Sequence, residues 1–131
     1  MIVSELSHRT GIPPHVVRYY ARIGLLKPNR HPENGYKLFS HDDVHRIRFI
    51  RKAKNLGFKL NEIEELLHQA YKGVSICNDV RTILNQRIEQ SKAELVKLGK
   101  QLELMEDELS LWDNIPNGKP DRRILCPLIE R

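Results

Sequence analysis

The two cysteines are the residues of this chain with the most distinctive chemistry. Cys77 and Cys126 stand 49 positions apart in a sequence of 131 residues, and Cys126 lies in the apolar stretch ILCPLI. Thiolates bind soft metal ions, and they are also the side chains that oxidants and electrophiles attack. In a reducing compartment such a pair forms free thiols or metal ligands more readily than a disulfide. Either thiol alone could equally be a small buried apolar side chain.

The net positive charge of the chain comes from its N-terminal part. Residues 1–58 contain 11 Lys and Arg against 4 Asp and Glu (net +7), whereas residues 59–131 contain 11 against 13 (net −2). A field of one sign on one lobe favours a polyanionic partner, either nucleic acid or an acidic membrane surface. No apolar run reaches the roughly 18 residues that a membrane span needs, and the N-terminus has no signal-peptide pattern. We therefore expect a cytoplasmic protein with no membrane contact.

The N-terminal lobe has the pattern of a winged helix-turn-helix. Ser4 predicts the cap of a first helix that stops at Gly11, and Pro13-Pro14 predicts the start of a second helix that ends at Gly24. Asn34-Gly35 is a strong hairpin signal, with Tyr36, Leu38 and Phe39 expected on its return arm. A hairpin that directly follows a helix-turn-helix is a wing.

Three more helices are predicted after the hairpin. The capping-box variant at residues 40–43 begins a helix that runs to Gly57, and an amphipathic helix follows over residues 60–71. Beyond them, mostly apolar residues recur in alternating steps of four and three over four heptads. On a helix they form one narrow stripe, which we call the seam. It comprises Leu84, Ile88, Ser91, Leu95, Leu98, Leu102, Met105, Leu109 and Trp112. So narrow a stripe cannot bury itself along its whole length against so small a lobe, so we predict that this helix dimerises.

The helical pattern breaks after Trp112, where two prolines and a glycine in DNIPNGKP prevent continuation. We therefore predict a mainly α fold in three parts. Residues 1–72 form a winged helix-turn-helix DNA-binding domain, residues 76–113 the dimerisation helix, and residues 114–131 an effector-binding loop and tail.

The second helix and the wing carry the candidate DNA contacts. Arg18 and Arg22 lie four residues apart on one helix face, with Tyr19 about 100° round from Arg18. A helix in a major groove needs Arg for base edges or phosphates and hydroxyl groups for the backbone. Isolated, this motif could be solvated surface charge, but basic residues also occur in the wing and the third helix. The predicted DNA-binding residues are Arg18, Tyr19, Tyr20, Arg22, Arg30, Tyr36 and Lys37.

These motifs, in this order, resemble the metal-sensing branch of the MerR family of bacterial transcription regulators. The segments are Ile12-Pro13, Val17-Arg18-Tyr19-Tyr20, Gly24-Leu25-Leu26, Asn34-Gly35-Tyr36 and Lys54-Asn55-Leu56-Gly57-Phe58. The resemblance implies a homodimer joined by an antiparallel coiled coil and bound to an inverted repeat in a long-spacer promoter. It also implies that an effector makes the dimer distort double-stranded promoter DNA, which realigns the promoter elements for RNA polymerase.

The resemblance also places both cysteines where metal-sensing members carry ligands. In an antiparallel pair, Cys77 would face Cys126 of the partner subunit. Two thiolates suit mercury, whereas zinc, cadmium, lead or cobalt would need further ligands. The chain departs from the family pattern because its loop contains no additional cysteine. The candidate additional ligands are Asp113, Asp121, Asp79 and His68.

Two other functions fit parts of the same sequence. A redox or electrophile sensor could use thiols near Arg122 and Arg123 on this scaffold. A coiled-coil adaptor with a basic head would show neither a DNA sequence preference nor an effector response. An enzyme is not expected, because the sequence has no Ser/His/Asp or Cys/His grouping and no phosphate-binding loop.

Overall fold

A computed structural model describes residues 1–131 as five helices and one antiparallel hairpin, which confirms the mainly α fold. The elements are α1 (Val3–Thr10), α2 (Pro14–Arg22), β1 (Asn29–Arg30), β2 (Lys37–Leu38), α3 (His41–Asn55), α4 (Leu60–Tyr71) and α5 (Cys77–Trp112). Two compact units are present, Met1–Arg87 and Ile88–Arg131, and α5 runs from the first into the second. None of the five helices has the length and apolar character to cross a membrane.

The first unit is built around one hydrophobic core to which every helix of the lobe contributes. Leu6, Val17, Ile47 and Ile63, one each from α1 to α4, are at most 1% exposed. The beginning of α5 packs on the same core through the partly buried Val80, Ile83 and Leu84, and Ile76, the residue before α5, packs there too. The first turns of α5 are therefore anchored by apolar burial, the main stabilising term in a small domain.

The helix starts show which local signals were decisive. Pro14 is the first residue of α2, as predicted, and the Asp43 carboxylate accepts the Ser40 backbone N–H at 3.1 Å at the start of α3. The predicted cap at Ser4 is wrong, since α1 already begins at Val3. Met1 forms two backbone hydrogen bonds with Phe39, of 2.7 and 2.6 Å, so this extended pairing fixes where the helix can begin.

The hairpin is present, but its return strand begins later than the sequence suggested. Arg30 pairs with Lys37, so residues 31–36 form the connection and Tyr36 belongs to the loop. The His31 N–H donates to the Tyr36 carbonyl at 2.7 Å, and Gly35 has a left-handed φ of 69°. Pro32 lacks the N–H that a longer ladder would require, so the strands stay short.

The second unit exposes the heptad seam of α5. Leu95 is 71% exposed, Leu98 59%, Leu102 52%, and Leu109 62%. No residue of α5 is fully buried within the single chain. An apolar stripe of this length on a two-sided helix is typical of a coiled coil that lacks its second strand.

Candidate DNA-binding surface and thiol sites

A cleft of about 660 Å³ lies between α2, the hairpin and the start of α1. Five predicted DNA-binding residues line it, namely Arg18, Arg22, Arg30, Tyr36 and Lys37. Its other lining residues are Ile2, Val3, Ser4 and Gly35, so the cleft holds four cations and no carboxylate. A concave surface with one sign of charge concentrates polyanions, and arginine is the side chain best shaped for phosphate and guanine edges.

Local contacts hold two of these cations in place. The Arg30 guanidinium donates to the Gly35 carbonyl at 3.3 Å, across the hairpin loop. The Arg22 guanidinium carbon lies 5.2 Å from the centre of the Tyr19 ring, within the range of a cation–π contact. Tyr19 is outside the cleft lining and is 39% exposed, so it is accessible beside Arg22.

Tyr20 has a different environment from its neighbours in the R-Y-Y motif. It belongs to the hydrophobic core and is only 6% exposed. Two residues along a helix correspond to a rotation of about 200°, which takes Tyr20 to the face opposite Arg18. This burial argues against the predicted direct contact of Tyr20 with DNA and assigns it to packing.

Asp43 is a structural residue of the DNA-binding surface that the sequence revealed only as a capping residue. Its side chain is fully buried, and it accepts the backbone N–H groups of Lys27 and Ser40, both at 3.1 Å. It also forms an ion pair of 2.9 Å with Arg46. Since Lys27 and Ser40 flank the hairpin, one carboxylate ties both ends of the wing to α3.

Replacement of Asp43 by alanine is expected to lower the free energy of unfolding by about 3 kcal/mol, because it leaves two backbone N–H groups without an acceptor and removes the ion pair with Arg46. Urea denaturation followed by circular dichroism measures this loss. Asp42→Ala is the matched control, since Asp42 is exposed and should cost less than about 1 kcal/mol. Equal losses in the two variants would contradict the assigned role of Asp43.

A second basic cluster lies at the α1–α3 contact, around a cleft of about 420 Å³. Arg9, His41, His45 and Arg48 line it together with Val44, and Arg9 Nη1 is 3.1 Å from His41 Nδ1. Arginine can only donate, so His41 Nδ1 is the acceptor in this contact. The cluster extends the basic surface of the lobe beyond α2 and the wing.

The two cysteines are free thiols in different surroundings. Cys77 is exposed and is the first residue of α5, in the first unit. Cys126 is half-buried in the tail of the second unit, and the tail is joined to α5 by an Arg131–Glu108 ion pair. No group of three or more His, Cys, Asp or Glu side chains with metal-binding geometry occurs in the single chain.

The four candidate additional ligands are distributed over both units. Asp79 lies in the first turn of α5 and lines a groove with α4, while His68 lines a polar pocket with Lys27, Glu64 and Tyr71. Asp113 is exposed just after α5. Asp121 Oδ1 accepts the N–H groups of Ile124 and Arg123 at 2.8 and 2.7 Å, which lowers the pKa of this carboxyl. That oxygen of Asp121 already has a structural partner.

Three residues that contact the Cys126 segment had no signal in the sequence. Glu130 hydrogen-bonds the backbone of Cys126, and Arg131 pairs with Glu108, a residue 23 positions away. Both interactions depend on the path of the tail, which neither periodicity nor spacing predicts.

Comparison with known proteins gives a consistent result over the whole chain. Residues 1–70 match the family described as "MerR HTH family regulatory protein", and residues 44–112 match "MerR, DNA binding". The mercuric resistance operon regulatory protein of Bacillus cereus is 32% identical over 128 residues, covering 98% of this chain and 93% of the relative. The HTH-type transcriptional regulator HmrR of Rhizobium leguminosarum is 33% identical, with coverages of 99% and 95%.

A solved structure shares the same architecture. The transcriptional regulator MerR of Bacillus megaterium, determined in complex with mercury(II), superposes with a TM-score of 0.60 at 28% identity. The match covers 96% of this chain and 94% of that protein.

Proposed function

Because the chain belongs to the MerR family of transcription regulators, we propose that it is a metal-responsive activator that binds promoter DNA as a homodimer. Members of this family are DNA-binding regulators and not enzymes. The proposed operator is an inverted repeat in a long-spacer promoter. We place the protein in the cytoplasm. Binding of a thiophilic ion makes the dimer distort this DNA so that RNA polymerase can use it.

The cleft between α2 and the hairpin supports the DNA-binding part of this proposal. It places Arg18, Arg22, Arg30 and Lys37 around one concavity that no carboxylate enters. We propose that these side chains, with Tyr19 and Tyr36, contact DNA. Guanidinium groups supply bidentate contacts to base edges, whereas ammonium and hydroxyl groups fix the register on phosphates.

The positions of the thiols along α5 support the metal-binding part. Cys77 begins this helix of 36 residues, and the tail with Cys126 is ion-paired to Glu108 near its other end. If two copies pair in antiparallel orientation along the exposed seam, the start of one helix lies beside the end of the other. Cys77 of one chain and Cys126 of the partner subunit then form a site, twice in each dimer. Mercury would be satisfied by two thiolates, and zinc, cadmium, lead or cobalt would recruit Asp113, Asp121, Asp79, His68 or water.

A transcription assay tests the proposal as a whole. The operator is first selected from a random DNA pool with the reduced dimer and then placed in a promoter with an extended spacer. We expect one or more of Hg²⁺, Zn²⁺, Cd²⁺, Pb²⁺ and Co²⁺ to bind with sub-micromolar affinity and to raise transcript yield. Absence of sub-micromolar binding by every ion would overturn the metal-sensing function, and induction by oxidants or alkylating agents would then identify a thiol-based sensor.

The dimer itself gives a separate prediction. Leu102→Glu places a carboxylate in the seam and removes about 2 kcal/mol of apolar burial from each chain. The loss of about 4 kcal/mol per dimer should therefore raise the dimer dissociation constant by about 800-fold, as measured by sedimentation equilibrium. Leu104→Glu is the matched control, because Leu104 is also exposed in the single chain (61%, against 52% for Leu102) but lies outside the seam. A dimer that tolerates Leu102→Glu as well as Leu104→Glu would exclude pairing along this face.

A further inference from the structure

The segment that carries Cys126 is held in one conformation by polar contacts within residues 88–131. We propose that Glu130, Arg131 and Glu108 are positioning residues that fix the Cys126 thiol before any metal ion binds. This inference rests on the proposed role of Cys126 as a metal ligand. Its evidence, however, lies entirely in contacts of the single chain.

Glu130 closes the turn around the cysteine. Its Oε2 accepts the backbone N–H groups of Leu125 and Cys126 at 2.7 and 2.8 Å. Its own N–H donates to the Cys126 carbonyl at 3.1 Å. Both backbone groups of Cys126 are therefore bound to one residue, and two of these three bonds are strengthened by the negative charge of the carboxylate.

The Arg131–Glu108 pair fastens this turn to α5. Arg131 Nε lies 2.9 Å from Glu108 Oε2 and Arg131 Nη2 lies 2.6 Å from Glu108 Oε1, so the contact is bidentate. The hydrogen bond from Arg131 lowers the pKa of the Glu108 carboxyl, and the same bond raises the pKa of Arg131. Paired guanidinium and carboxylate forks fix orientation as well as distance, so they can transmit the rigidity of a helix to a loop.

Apolar burial cannot hold the segment alone. Leu125 is 73% exposed and Ile129 is 75% exposed, and Cys126, Pro127 and Leu128 are only half-buried, so the segment removes little apolar area from water. Gly118 of the loop packs closely on Pro127. A Cβ added at Gly118 would lie only 2.7 Å from Pro127 Cγ. The polar contacts of Glu130 and Arg131 therefore determine the position of Cys126.

A thiol that is already in place binds an ion without the entropic cost of ordering its loop. Loosening the segment should thus expose the thiol and weaken metal binding together. Operator contacts lie in the other unit and should not change.

Alkylation kinetics test this inference without any metal. In the full-length Cys77→Ser protein, Cys126 is the only thiol, and its reaction with iodoacetamide is measured from pH 6 to pH 10. We expect Glu108→Gln and Arg131→Gln each to raise the plateau rate about fivefold, because the loosened thiol is more accessible. A change in local charge alone would shift the midpoint of the pH profile and leave the plateau unchanged. The double variant Glu108→Arg/Arg131→Glu should return the plateau towards its original value.

Glu106→Gln is the control, since Glu106 is an exposed carboxylate on the same helix without a contact to the tail. Unchanged plateau rates in Glu108→Gln and Arg131→Gln would overturn the positioning role, even if the protein senses metal normally. In the presence of both cysteines, the same variants should weaken Cd²⁺ binding about fivefold in competition with a chelating dye. If the protein binds no ion at all, the alkylation rates still decide the positioning role, so the two failures are distinguishable.

Discussion

Replacing Cys126 by serine is expected to abolish the transcriptional response to metal while operator binding stays as in the original protein. A serine hydroxyl is a poor ligand for soft ions, so metal affinity should fall by at least about 100-fold. The basic cleft lined by Arg18 belongs to the first unit and Cys126 to the second, so the substitution leaves the cleft intact. Parallel measurements of operator affinity, ion affinity and transcript yield separate these effects.

A heterodimer experiment tests whether the site is shared between chains. A dimer of one Cys77→Ser chain and one Cys126→Ser chain keeps one intact pair if the thiols come from opposite subunits. It keeps none if they come from the same subunit. Purification through two different affinity tags isolates this heterodimer, which should bind one ion where the original dimer binds two.

Asn117→Ser controls for any effect of altering the loop, since Asn117 is exposed and contributes no thiol. A normal response of the Cys126→Ser protein to its inducing ion would show that the tail thiol is structural. No binding by the heterodimer, with normal binding by the original dimer, would place both ligands in one chain.

Local sequence signals predicted the helices well because they concern neighbouring residues. Pro14 starts α2 since its missing N–H costs nothing in a first turn, and α4 occupies residues 60–71 as its periodicity indicated. The break after Trp112 ends α5 where the prolines require it. In each case the information lies within a few positions of the element.

Predictions failed where hydrogen bonds outside the recognised motif decided the outcome. The start of α1 is fixed by the pairing of Met1 with Phe39, 38 positions away, and not by Ser4. The hairpin turn begins at His31 because its N–H bonds to Tyr36, although Asn34-Gly35 was the stronger local signal. A sequence pattern reports propensity, and tertiary contacts override it.

For the candidate DNA-binding residues, too, the sequence predicted some positions correctly and others not. Helical spacing correctly grouped Arg18 with Arg22, and the cleft adds three wing residues to them. Helical spacing also put Tyr20 on the apolar face, but the motif R-Y-Y suggested a DNA contact. The structural role of Asp43 could not be predicted from its capping-box position, because its bond to Lys27 spans 16 residues.

Replacing Arg18 by alanine should weaken operator binding at least about 30-fold at physiological salt, with metal affinity unchanged. Each of the two subunits loses about 1–3 kcal/mol, the usual contribution of an arginine that contacts a base edge or a phosphate. Fluorescence anisotropy with the selected operator and with an unrelated duplex measures both affinity and specificity. Arg122→Ala is the control, since Arg122 is an exposed arginine of the tail.

A second substitution and the salt dependence of operator binding distinguish the two types of contact that Arg18 can make. Arg18→Lys keeps the charge but loses the planar fork, so it should bind nearly as well as the original if Arg18 contacts phosphate and poorly if it reads a base. If Arg18 contacts phosphate, Arg18→Ala should also reduce the steepness of log K against log salt by about one for each subunit, or about two for the dimer. A base contact instead relaxes sequence preference at one operator position. Binding by Arg18→Ala that equals Arg122→Ala would remove Arg18 from the interface and with it the assignment of the cleft.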